Sequence, residues 1–251
     1  MMKKTLRYNQ FIYGKFAGNK DSGYQLVART AELNNEDQLV TMVEKTHRFW
    51  KGQPPVRDNV RAAGIYLQGN NLVLIQALTA VHESQKVAIS GDRSFIQHRY
   101  VFIPIDSLAA LQGRTFKLLY WILNQRIPIQ YEFNANLAPL EIPLLEQEIS
   151  TEFKQQEISK IQNYLSANKT QIPWLLEAEN ALINNKRLLI TPDDIIKPEN
   201  FEIFLEITLL LLPAICRSRV SVAVGTLDEQ QCDWANVIVK SNNSHQFGLF
   251  N

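Results

Sequence analysis

Asp92, Arg93, His98 and Arg99 place a carboxylate, an imidazole and two guanidiniums within eight residues. Guanidiniums grip phosphate oxygens in a bidentate fork and histidine titrates near neutrality, so such a group can bind or polarise a phosphate. If Phe95 to Ile103 is a strand, His98 and Tyr100 share one face and Arg99 points to the other. A hydrolase acting through His98 and Asp92 is one use of the cluster, but the cluster supplies no nucleophile. A charged turn leading into a strand, with a histidine satisfied by its neighbours, explains the same residues and is preferred.

Two further groups can bind. Tyr13 and Tyr24 lie in a first pair of strands and Trp50 closes the first helix; beside Arg29, Arg48 and Arg57 they can stack bases. Ordinary aromatic burial in a sheet accounts for them more simply. Arg217 and Arg219 follow a long apolar helix, where a cation is drawn to the exposed carbonyl end. Glu177, Glu179, Asp193 and Asp194 suit a solvated helix face and a loop leading into a helix. Candidate binding residues are therefore Tyr13, Tyr24, Asp92, Arg93, His98, Arg99, Arg217 and Arg219.

The remaining searches are negative. Gly14, Gly18 and Gly23 match neither a phosphate loop nor a dinucleotide fingerprint. His82-Glu83-Ser84 lacks the second histidine of a zinc-protease helix, and no serine sits in a nucleophile elbow. His47, His82, His98 and His245 are too scattered for a metal site. No catalytic residue, metal or cofactor is assigned. Cys216 and Cys232 flank an expected strand and are read as two buried free thiols.

The elements that must carry these residues follow from pattern. Thr5 to Phe16 and Gly23 to Ala31 read as paired strands around a turn at residues 18–23. Asn35 caps a helix that presents Leu39, Val40, Val43 and His47 and stops at Pro54-Pro55. Arg61 to Gln68 and Leu72 to Ala80 form a hairpin about Gly69-Asn70-Asn71. Phe95 to Ile103 is a strand, followed by short helices from Asp106 or Ser107 to Leu111 and from Thr115 to Gln125, then an edge strand at Gln130 to Phe133.

Residues 134–147, with Pro139 and Pro143, form the crossover. Beyond it, helices are expected at Glu152 to Ala167, Ile172 to Asn184 and Asn200 to Leu212. Strands are expected at Arg187 to Thr191, Val220 to Val224 and Asn236 to Lys240. The fold class is therefore α/β (α+β): a β-rich lobe at 1–133 and a helix-covered mixed sheet at 148–251, packed as one compact unit.

Of the 251 residues, 45% are apolar and 20% charged, a globular balance that argues against wholesale disorder. The net charge of +1 conceals a polarity. Residues 1–130 hold 17 Lys and Arg against 9 Asp and Glu, or +8; residues 131–251 hold 9 against 16, or −7. The basic residues are dispersed, which favours mutual attraction of the halves over a nucleic-acid surface. No apolar stretch is long enough for a membrane span and no secretory signal is evident, so a cytoplasmic protein with no membrane partner is expected.

The ordered set Gln10, Tyr13, Gly14; Gly23, Tyr24, Ala28, Thr30; Asp92, Arg93, His98; and Leu211, Leu212, Pro213, Arg217, Arg219 before Val220-Ser221-Val222 carries a resemblance. It resembles the N-terminal module of bacterial GTPase-associated adaptor proteins found in NTPase-dependent conflict (defence) systems. Two positions depart from that pattern: Asp92-Arg93-Ser94 stands where a second glycine is usual, and Val222 replaces an aromatic. Family members continue into further domains, so the resemblance implies a stand-alone version. It also implies a non-enzymatic adaptor or scaffold whose partners are proteins, an NTPase or an effector subunit. The alternative is a nucleic-acid or nucleotide-binding module using Arg93 to Arg99.

Overall fold

Among the described residues, nine strands share one sheet and two more form a separate two-stranded sheet. The structure is a computed structural model that describes residues 5–15, 23–47, 60–81, 94–111, 135–143, 151–191, 201–226 and 228–240. The strands are β1 (Thr5–Tyr8), β2 (Gln10–Gly14), β3 (Gln25–Arg29), β4 (Val60–Gln68), β5 (Asn71–Val81) and β6 (Ser94–Pro104). They continue with β7 (Ala135–Asn136), β8 (Leu140–Pro143), β9 (Leu188–Ile190), β10 (Val222–Thr226) and β11 (Val237–Lys240). The α-helices among these residues are α1 (Glu36–Thr46), α2 (Thr151–Ala167), α3 (Ile172–Ile183), α4 (Phe201–Leu210) and α5 (Ala214–Arg217). The large sheet runs in the order β7-β3-β2-β6-β5-β4-β10-β11-β9, and the small one pairs β1 with β8.

The α/β class expected from the sequence is the class observed, with one sheet running through both halves of the chain. β4 pairs antiparallel with β10, so strands from either side of residues 134–147 hydrogen-bond directly. From β3 to β10 neighbouring strands run antiparallel; β10, β11 and β9 are mutually parallel, as is β7 beside β3. Residues 134–147 thus hold two short strands within the crossover.

Period-two alternation divides the side chains between two layers. Leu72, Leu74, Val101, Ile103, Val222 and Val237 face Tyr164 of α2, Leu175 and Leu182 of α3, and Phe204 and Ile207 of α4. Val73, Ile75, Tyr100, Ala223 and Ile238 face the other way, where Leu39, Met42 and Val43 of α1 cover them. Burial on both faces explains the four consecutive apolar residues Leu72 to Ile75 of β5, all fully buried.

Local chemistry fixes the ends. Asn35 accepts a hydrogen bond from the Gln38 amide at 3.1 Å, satisfying a donor in the first turn of α1. The β4–β5 hairpin turns on Gly69 and Asn70, with a positive φ of 58° at the glycine alone, the pattern of a type II′ turn.

Two expectations are corrected. The first expected strand breaks at Asn9: β1 leaves for β8 while β2 enters the main sheet. On α1 the covered face is Leu39, Met42, Val43 and Thr46, and Val40 is exposed. The expected helix at Thr115 to Gln125, the strand at Gln130 to Phe133, Trp50, Pro54-Pro55, His82, His245 and Asp193-Asp194 lie outside the described residues, as does most of the turn at 18–23. Among the described residues, no helix is long and apolar enough to cross a membrane.

Candidate functional site

The pairing of β2 with β6 sets Tyr13 directly opposite His98. A bulge between Ile12 and Tyr13 shifts the β2–β3 register so that Tyr13 pairs with Leu26. The Tyr13 ring then lies 6.0 Å from Tyr24, 6.3 Å from His47 at the end of α1, and 6.5 Å from His98. Tyr13 donates its hydroxyl to the Tyr24 carbonyl at 3.4 Å, and the Tyr24 hydroxyl accepts from the Ile96 amide at 3.0 Å. Tyr24 stays 44% exposed and Lys15 sits 5.7 Å from its ring centroid, a cation–π contact at the surface.

His98 occupies the floor of this group at 3% exposure. Burial, with a smaller contribution from His47, lowers its pKa to about 3, so the ring is neutral at physiological pH. His47 places Nδ1 2.7 Å from the Val43 carbonyl; a carbonyl can only accept, so Nδ1 carries the proton. A neutral buried imidazole brings no positive charge to a phosphate. Among the described residues no three His, Cys, Asp or Glu side chains group closely enough to hold a metal ion.

Arg99 points to the opposite face, as strand alternation requires, and is buried at 7% exposure. Its Nε and Nη2 both donate to Gln10 Oε1, at 2.8 and 2.6 Å. Gln10 in turn donates Nε2 to the Ala138 carbonyl at 2.7 Å. The guanidinium therefore ties β6 and β2 to the segment before β8. Asp92 and Arg93 lie outside the described residues, so the four-residue cluster is described only through His98 and Arg99, which face opposite sides of the sheet.

Arg217 does what a cation beyond an apolar helix is expected to do. Its Nε donates to the Leu212 carbonyl at 2.6 Å and its Nη2 to the Leu210 carbonyl at 2.7 Å, satisfying acceptors at the end of α4. Arg219 is exposed, two residues further on. The structure thus brings Tyr13, Tyr24 and His98 together and leaves Arg99, Arg217 and Arg219 elsewhere. Cys216 and Cys232 are both free thiols; Cys232 is buried and donates to Thr226 Oγ1 at 3.3 Å.

One surface was not anticipated. On α3, Leu175, Ala178 and Leu182 are buried, yet Ile172, Leu176 and Ile183 are 37%, 54% and 52% exposed. At about 100° per residue these three fall within roughly 40° of one another, forming a second apolar stripe beside the core-facing one. The helix is well fixed beneath it. Pro173 occupies the first turn, where its missing N–H costs nothing. Asn185, at φ 55°, closes a Schellman end with Lys186 N–H to Ala181 C=O at 2.8 Å and Asn185 N–H to Leu182 C=O at 3.1 Å. The signal was present in the sequence as apolar residues at i, i+4 and i+11 in excess of those one buried face uses.

No protein-family model, no curated protein and no solved structure matches this chain.

Proposed function

We propose that the protein is a non-enzymatic adaptor of a bacterial multi-protein assembly, docking through the outer face of α3. The observation that carries the reading is the exposed stripe of Ile172, Leu176 and Ile183 on a helix whose inner face is already buried. Large aliphatic side chains aligned on a rigid, capped helix are the ordinary anchor of a helix-mediated contact. The resemblance to GTPase-associated adaptors of defence systems supports the same reading and points to an NTPase or an effector subunit as the partner, met in the cytoplasm.

Pairwise co-expression with each co-encoded protein, followed by size exclusion with mass determination, tests it. A stoichiometric complex is expected, and Leu176→Asp should weaken it at least about tenfold, because it replaces an aliphatic anchor with a carboxylate that the partner's apolar surface would have to bury. Since Leu176 is exposed in the free chain, the same change should leave folding stability within about 0.5 kcal/mol. A free monomer beside every co-encoded protein, or a complex indifferent to Leu176→Asp, would sink the proposal.

A further inference from the structure

The stripe on α3 is interrupted by one charge. Glu179 lies between Leu176 and Ile183 at heptad spacing, so Ile172, Leu176, Glu179 and Ile183 occupy i, i+4, i+7 and i+11. Glu179 is half-buried, and none of the ion pairs formed by the described residues includes it. A carboxylate set among aliphatic side chains is desolvated further by any helix that packs on them, and desolvation is costly unless a cation arrives with that helix.

The same residue argues against a second copy as the occupant. A two-fold axis pairs a face with itself, and antiparallel α3 helices would set Leu176 of one copy against Glu179 of the other. Both carboxylates would then lie within about one helical turn of each other near the axis, an arrangement of like charges that opposes association. Ile172 would still meet Ile183, but the centre of the contact would be wrong.

Resting on the docking reading above, we infer that the occupant is an amphipathic helix of a different protein, carrying an arginine or lysine in the middle of its own apolar stripe. Arginine suits the position because its planar fork satisfies both carboxylate oxygens and its stem covers aliphatic surface. Its length lets it reach Glu179 from a helix running in either direction.

Two fluorescently labelled synthetic helices test this, identical in leucines at i, i+4 and i+11 and differing only at i+7, arginine in one and glutamate in the other. Anisotropy titrations with the full chain should give about tenfold tighter binding for the arginine helix. Glu179→Lys should reverse the preference, and Glu179→Gln should bring the two helices within about twofold. If both bind equally to wild type and to Glu179→Lys while Leu176→Asp abolishes both, the face is a docking site and the charged partner is wrong. A dimer in sedimentation that Leu176→Asp dissolves would overturn the inference in favour of a second copy. Failure of both helices to bind wild type would overturn it together with the docking reading.

Discussion

His98 shows how little a side chain's identity says about its chemistry until its surroundings are known. Alternation along β6 was legible: His98 and Tyr100 do share a face, and Arg99 does point the other way. That the imidazole is neutral was not legible, because it depends on burial beneath Tyr13 and α1, elements distant in the chain. The consequence is measurable. A histidine whose folded pKa lies below its ordinary value of 6.5 resists a proton that the unfolded chain accepts. Its stabilising contribution is complete above pH 6.5 and is lost as pH falls from there towards about 3. Between pH 7 and pH 5 this residue alone should cost about 2 kcal/mol of stability. Urea unfolding at both pH values should show His98→Gln losing about 2 kcal/mol less than wild type across that interval. Equal losses would mean that His98 is protonated in the folded state.

At the level of elements, most of what the sequence disclosed was local. The Asn35 cap, the Gly69 turn and the helices beginning near residues 151, 172 and 201 all follow from chemistry within a few residues of themselves. The break at Asn9 was hidden because both β1 and β2 are extended, and only their different partners separate them. The same limit hid the junction of β4 with β10, where Gly64 sits opposite Ala223. A Cβ on Gly64 would lie 2.9 Å from Cη2 of Trp234 and 3.1 Å from the Val222 carbonyl oxygen. The indole is itself held edge-on against Tyr66, with ring centroids 5.8 Å apart. A side chain here therefore meets a rigid ring and a strand backbone. Gly64→Val should cost about 1–3 kcal/mol through overpacking, Gly64→Ala less. Thermal unfolding reads the loss, and Gly64→Val combined with Trp234→Ala should lose less than the sum of the two single losses, since the two share one clash. Additive losses in the double variant would show that the indole is not the obstacle.

For the whole molecule, the sequence suggested two lobes about residues 134–147, and that suggestion rested on a change of rhythm. Rhythm reports elements, whereas a core is built by whichever faces meet. Here Ile65, Leu72, Leu74, Val101 and Ile103 from the first half are covered by Tyr164, Leu175, Leu182, Phe204 and Ile207 from the second. The outer edge of β4 is occupied by β10. A fragment ending at residue 143 would keep β1 to β8 but expose that apolar face and an unpaired strand edge at once, both of which promote association and loss of fixed packing. Expressed alone, it should bind a hydrophobic dye strongly and give poorly dispersed amide resonances, with far-ultraviolet signal retained from its hairpins. Adding residues 144–251 as a second chain should quench the dye and restore dispersion, because the missing cover is then supplied without covalent connection. The charges assist: the first 130 residues carry +8 and the remainder −7, so recombination should slow as salt rises. A fragment that is dispersed and dye-silent by itself would show that α1 and the antiparallel strands suffice as a core, and that α2 to α4 cover a face already stable without them.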